Sequence, residues 1–268
     1  MTRVQAPTVL VSRPAEGVVV ATLNRPDRLN AMTSTMFAEL EALTHELDAD
    51  GTARVLIITG AGRGFCSGYD LELAGDLTSM SPMAMMDLQE RAADALVAIR
   101  SLRIPVIAAV NGAAAGGGLS LALAADIRIA GTEAVFIASF ARIGLSAGDL
   151  GASWLLPRIV GPAHAADIAY TGRPVRSDEA LRMRLVNRVV ALDSLLDESV
   201  ALATSITLNS PSGVRLSKRA LQANLEVSSY AAALELENRG QTLLTRTEDM
   251  AEALNAFIGK RPATFRGR

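Results

Sequence analysis

Residues 106–129 read VIAAV-NG-AAA-GGG-LSLALAAD-IRI. The pattern predicts a buried strand, a tight turn, an apolar helix and a second buried strand. Gly116, Gly117 and Gly118 stand where the helix begins. Glycine there is entropically costly, so it marks a sharp turn or a close approach. A helix start leaves unpaired N–H groups carrying partial positive charge, and glycines let a ligand oxygen reach them. The alternative is that the glycines only let helix and strand pack closely.

Working outward, the same strand–helix alternation recurs. Residues 8–24 predict a hairpin turning at Arg13 to Gly17. Thr33 or Ser34 can cap a helix that carries Met36, Phe37, Leu40, Leu43 and Leu47 at helical spacing. Val55 to Thr59 is a continuous apolar run, as in a strand covered on both faces. Ser81-Pro82 predicts a helix start running to about Leu102. A strand is expected at Ala134–Ala138, then a loop and a helix over ASWLLPRIV. This alternation to about Val190 argues a parallel α/β core. Beyond Leu192 the chain turns helical, with starts near Asp193, at Pro211, at Ser228 or Ser229, and at Thr247 or Glu248. The expected division is therefore 1–192 for the core and 193–268 for a helical C-terminal part.

Half of the 268 residues are hydrophobic, enough for a sizeable core. A net charge of −2 gives no broad electrostatic case for nucleic acid or an acidic membrane. No apolar run is long and regular enough to span a bilayer. The N-terminus lacks a secretory h-region, and the single cysteine, Cys66, rules out an internal disulfide. Both point to a reducing compartment, the cytoplasm. Two histidines and one cysteine lie far apart, so no zinc-ligand spacing exists and no metal is expected.

A second glycine-rich stretch, GAGRGFCSGYDL, follows the strand at 55–59. A dinucleotide-binding fingerprint would need glycine at position 65, where Phe65 stands, and a helix directly after. Two glycine turns after two buried strands suggest instead one backbone N–H each, aimed into a common pocket. Such a pair makes an oxyanion hole.

Here the sequence resembles the crotonase, or enoyl-CoA hydratase/isomerase, superfamily. The resemblance is carried by LNRPDRLNAM, GRGFCSGYDL, NGAAAGGGLSLALAADIRIA, GLSAGD, LLPRIVG, TGRPVRSDEALRMRLVNRVV and AFIGKRPATF. It implies an α/β spiral of ββα units with a helical C-terminal part used for trimerisation. It places the two oxyanion donors on the N–H groups of Tyr69 and Gly117, holding the thioester oxygen of an acyl-CoA. CoA contacts fall near Asp27, on Arg28 and Leu29, and on Ser67, Asp70 and Leu71. Phe257 and Lys260 match residues that reach the nucleotide, often across a subunit boundary; the alternative for Lys260 is an ordinary basic tail. A homotrimer or a dimer of trimers is implied. No cofactor is expected beyond the coenzyme A of the substrate.

The chain departs from the pattern at the two glutamates with which hydratases of this family handle water. The matching positions are Ser120 and Phe140, and neither side chain can act as acid or base. One carboxylate remains in the region, Asp149. Its position resembles that of the catalytic aspartate of dienoyl-CoA isomerases and chlorobenzoyl-CoA dehalogenases. With Leu145, Leu150, Trp154 and Phe140 around it, desolvation would raise its pKa, as a base for a carbon acid requires. Alternatively Asp149 caps the following helix. Cys66 is expected to pack, not react, His45 to be a surface residue, His164 to be structural, and Asp126 to cap a helix or pair. Met80, Met83, Met85 and Met86 either line an acyl pocket or pack the helix.

The expected function is double-bond isomerisation, or a related lyase step, on an acyl-CoA, with Asp149 as acid/base. Efficient hydration is not expected. The alternatives are an acyl-CoA hydrolase and a non-catalytic acyl-CoA-binding protein.

Overall fold

The computed structural model describes residues 6–70 and 77–268. Leu71 lies outside the described residues.

The hairpin forms from β1 (Val9–Ala15) and β2 (Val18–Leu23), antiparallel, with Gly17 in the left-handed region at the turn. Helix α1 (Ser34–Ala49) starts where the sequence placed it. The Thr33 side chain caps it by accepting from the N–H of Met36, and Met36, Phe37, Leu40, Leu43 and Leu47 face the core.

From here the chain winds as a spiral. Each turn lays one strand in each of two sheets and then returns through a helix. The first turn is β3 (Val55–Gly60), β4 (Gly64–Cys66) and α2 (Pro82–Ser101). The second is β5 (Val106–Val110), β6 (Ala113–Ala115) and α3 (Gly117–Ala124). The third opens with β7 (Ile127–Gly131) and β8 (Val135–Ile137), followed by a 3-10 turn over Ser139–Ile143, α4 (Ala152–Val160) and α5 (Pro162–Thr171). Then come β9 (Pro174–Arg176), α6 (Ser177–Arg182) and β10 (Arg188–Val190). The larger sheet runs β1-β2-β3-β5-β7-β10 and the smaller β4-β6-β8-β9. Pairing is parallel except between β1 and β2 and between β8 and β9.

The short strands β4 and β6 replace what the sequence suggested was loop and turn. Three residues show no periodicity, and the alanines of β6 have no strand preference of their own. They are strands because neighbouring turns of the spiral pair with them, Ala113 against both Gly64 and Val135.

Beyond β10, α7 (Leu195–Thr207) covers the second face of the larger sheet. Its Leu195 and Ala203 pack with Val18, Val20, Val55, Ile57 and Ile107. That is why these strands read as unbroken apolar runs: both faces are buried. Helices α8 (Pro211–Asn224), α9 (Tyr230–Leu244) and α10 (Glu248–Ile258) bury far less; α9 has no buried residue. The buried residue of α8 is Lys218, whose ammonium meets Asp126 at 2.8 Å and the carbonyl of Ile104 at 2.9 Å. Asp126 is thus structural, holding the helical part to the core. No described helix is long and apolar enough to cross a membrane.

The glycine triplet resolves into three roles. Gly116 takes φ +51°, which turns the chain from β6 into α3. A Cβ on Gly118 would collide with the backbone carbonyl of Cys66, so close packing requires that glycine. Gly117 lies between them and opens to a cavity.

Candidate active site

Two backbone turns meet beneath α2. In the first, Gly68 has φ +97°, and its carbonyl accepts from the N–H of Met32 at 2.7 Å. The N–H of Asp70 donates to the Met32 carbonyl at 3.0 Å. This short parallel bridge turns the N–H of Tyr69 away from Met32, and among the described residues that N–H has no acceptor. In the second, Gly117 is the first residue of α3, so its N–H has no intrahelical partner. The turns touch through bare backbone. A Cβ on Gly68 would lie 2.8 Å from the carbonyl oxygen of Ala115 and 3.2 Å from the nitrogen of Gly117.

Both turns line a cavity of about 310 Å³. Helix α2 contributes Met85, Gln89 and Ala92; the segment after β8 contributes Phe140, Leu145, Asp149 and Leu150. Asp149 is the carboxylate among these lining residues. Burial raises its pKa, opposed by a hydrogen bond from the Gln89 side-chain amide to its Oδ1. Asp149 does not cap α4. The N-cap is Gly151, and Asp149 contributes its carbonyl, which accepts from the N–H of Ala152 at 2.9 Å. The next residue, Leu150, has φ +46°, an uncommon state for a side chain of that size.

Ser120 is fully buried. Its hydroxyl lies 3.3 Å from the carbonyl oxygen of Asp149 and 3.5 Å from that of Gly116. It therefore ties the Asp149 loop to the start of α3 and does not line the cavity. Phe140 is a cavity wall. Trp154, expected beside Asp149, instead lies against the guanidinium groups of Arg158 at 3.8 Å and Arg100 at 5.2 Å. It does not line this cavity.

A second cavity, of about 380 Å³, has Met32, Ser34, Met80 and Leu88 in its walls. Tyr69 and Leu77 line both cavities. The Tyr69 ring sits 5.8 Å from that of Phe37, and its hydroxyl interacts with the Ser34 side chain. Burial raises the pKa of the phenol. Of the four clustered methionines, Met85 and Met80 line these cavities, while Met83 and Met86 are exposed.

The remaining expected residues are spread more widely. Ser67 lines the first cavity; its N–H donates to the carbonyl of Leu29 at 3.0 Å and its hydroxyl to that of Arg28 at 3.4 Å. Asp70 is buried and ion-paired with Arg25 at 2.7 Å. Phe257 and Lys260 are exposed at the end of α10 and line neither cavity. Cys66 is fully buried, which pushes its thiol up to about 12; a protonated thiol is no nucleophile. Sequence reasoning missed Gln89. Its signal was there: Met85, Gln89, Ala92 and Leu96 share one helical stripe, and a lone amide on an apolar stripe needs a buried partner.

The chain matches the family model described as enoyl-CoA hydratase/isomerase over residues 13–268. It is 40% identical over 262 residues to a Mycobacterium tuberculosis protein named "Probable enoyl-CoA hydratase EchA12", covering 96% of this chain and 92% of that one. It is 36% identical over 260 residues to the 1,2-epoxyphenylacetyl-CoA isomerase of Escherichia coli, covering 97% and 98%. Among solved structures it is similar to a monofunctional enoyl CoA isomerase from M. smegmatis, with TM-score 0.74 and 41% identity, covering 85% of this chain and 98% of that one.

Proposed function

The chain belongs to the enoyl-CoA hydratase/isomerase family, and we propose that it shifts a double bond along an acyl-CoA by proton transfer at carbon. The observation that carries this is Asp149, the one carboxylate among the described residues that line the cavity, whose other described lining residues are neutral and largely apolar. Hydration asks for a group to activate water and a group to protonate carbon. Isomerisation asks for one group that takes a proton and returns it elsewhere. The positions of the two hydratase glutamates carry a buried tether, Ser120, and a wall, Phe140. The similar structure named as a monofunctional enoyl CoA isomerase supports this reading of the reaction class.

The step balances within the substrate. A C–H bond next to the double bond breaks, and its proton goes to the Asp149 carboxylate. The electron pair delocalises into a dienolate whose charge rests on the thioester oxygen. The N–H groups of Tyr69 and Gly117 receive that oxygen, each donor contributing about 3–4 kcal/mol to the transition state. Asp149 then returns the proton to another carbon of the same chain.

The test offers the enzyme a 3-enoyl-CoA and follows the absorbance of the conjugated 2-enoyl thioester, scoring 3-hydroxyacyl-CoA and free thiol separately. Isomer is expected, with neither of the other products above background. Hydration of 2-enoyl-CoA at the rate of an efficient enzyme would overturn the reading; thiol release would instead favour a hydrolase.

Tyr69 lines both cavities, as Leu77 does, so its side chain is proposed to set the acyl length while its backbone does the chemistry. Tyr69→Ala removes a side chain that both cavities share and keeps the N–H. It is expected to move kcat/KM toward longer or bulkier acyl groups by roughly tenfold or more, measured across a chain-length series. An unchanged length profile would refute that role.

The CoA contacts are proposed for Arg28, Leu29 and the loop around Ser67 and Asp70. Phe257 and Lys260, exposed and outside the lining of either cavity, fit a nucleotide contact made across a subunit boundary in a homotrimer or a dimer of trimers.

A further inference from the structure

We infer that Gln89 is a positioning residue for Asp149, its amide holding the carboxyl group in both protonation states and leaving one oxygen for the substrate. The inference rests on the acid/base role proposed above for Asp149.

The geometry is specific. Gln89 projects from α2 between Met85 and Ala92 into the cavity, and its Nε2 donates to Oδ1 of Asp149. The backbone on the other side is tied down by Ser120 and Ala152. Carboxyl group and peptide are thus both held, and among the described residues the second carboxylate oxygen has no hydrogen-bond partner, which leaves it for the cavity. Among the described residues no cation pairs with Asp149. The neighbours from α2, α3 and the segment after β8 (Gln89, Ser120, Ser139, Phe140) are all neutral. The ionisable group that feels its charge is Tyr69, whose phenol the aspartate pushes upward. Arg91 of α2 acts on that same phenol.

The choice of an amide has a chemical reason. An arginine or lysine would stabilise only the carboxylate, and so resist its protonation. A hydrocarbon would hold neither form. A glutamine donates N–H to a carboxylate and, with the amide turned over, accepts O–H from a carboxylic acid. A group that takes a proton from carbon and must give it back needs a partner that serves both states. The substrate class this suits is a carbon acid whose proton returns to the same molecule.

The experiment compares the parent, Gln89→Leu, Gln89→Glu and Asp149→Asn on a 3-enoyl-CoA, with kcat and KM measured across pH. Gln89→Leu is expected to lower kcat about 10–100-fold, the range for a hydrogen bond to a charged group, with KM changed less than about threefold. Its acid limb should move to higher pH, because the lost hydrogen bond is stronger to the carboxylate than to the carboxylic acid. Gln89→Glu keeps the shape but sets two carboxylates together, so its acid limb should rise further; it carries the test if the leucine variant does not fold. A fall in kcat with an unmoved acid limb would reduce Gln89 to packing and overturn the inference. So would parent-like kinetics in both variants. Asp149→Asn at full activity would instead sink the acid/base reading itself. Loss of activity there, with Gln89 variants unaffected, would sink the Gln89 inference alone.

Discussion

Asp149→Asn is expected to fold as the parent does, to bind acyl-CoA, and to lose about 10²–10⁴-fold in kcat, the usual contribution of a general acid/base. The substitution is close to isosteric. An asparagine Oδ1 can still accept from Gln89, and the backbone carbonyl that meets Ala152 and Ser120 is untouched. What is lost is a group able to take a proton. Thermal unfolding separates chemistry from structure. The folded-state pKa of Asp149 is raised by burial, so ionising it costs the native state above that pKa, and the cost disappears as pH falls through it. Removing the charge at neutral pH should therefore leave Tm unchanged or higher. Lost turnover with a maintained Tm is the signature of a site that trades stability for chemistry. Full activity in the variant would sink the role. The same shift predicts that the acid limb of kcat/KM lies above the ordinary aspartate value of about 4, because the base form is lost as pH falls through the raised pKa.

Gly117→Pro is expected to lose about 10²–10³-fold in kcat, as when one oxyanion donor is removed. Proline deletes the N–H and nothing else that the helix uses. Position 117 is the first of α3, where proline is well tolerated. The residue before it is Gly116, at φ +51° and ψ −122°. Those angles mirror the extended region that a proline demands of its predecessor, and glycine has no Cβ to forbid the mirror image. The ring does need room: a Cβ at 117 would come 2.6 Å from the Met32 side chain and 3.2 Å from that of Leu150. Gly117→Ala is therefore the control, carrying the crowding but keeping the N–H. An alanine variant near the parent rate beside a crippled proline variant would isolate the hydrogen bond. Equal losses in both would assign the effect to crowding. A proline variant turning over at the parent rate would rule out the donor.

Much of this was legible in one dimension because local physics dominates at those places. Thr33, Ser81, Ser229 and Thr247 cap helices in the structure, each a side-chain oxygen acting within three residues. Doubly buried strands announced themselves as apolar runs. The resemblance carried the chain to its family and raised the question of Ser120 and Phe140. The sequence left open whether the glycine triplet packs or binds. The fold answers that neighbouring residues do different things, Gly118 packing on Cys66 and Gly117 opening to the cavity.

By itself, then, the sequence determined the alternation of strands and helices, the helical ending, and the presence of one candidate carboxylate downstream of two glycine turns. The tertiary structure alone decided that Asp149 turns to Gln89, 60 residues away, and not to its own helix. It alone decided that Ser120 ties a loop, that Trp154 faces away, and that Tyr69 lines two cavities. The physical reason is range. Capping and periodicity act over a few residues of chain. A side-chain contact between successive turns of a spiral is set by how the sheets stack, and that information is shared among many residues with no local pattern to mark it.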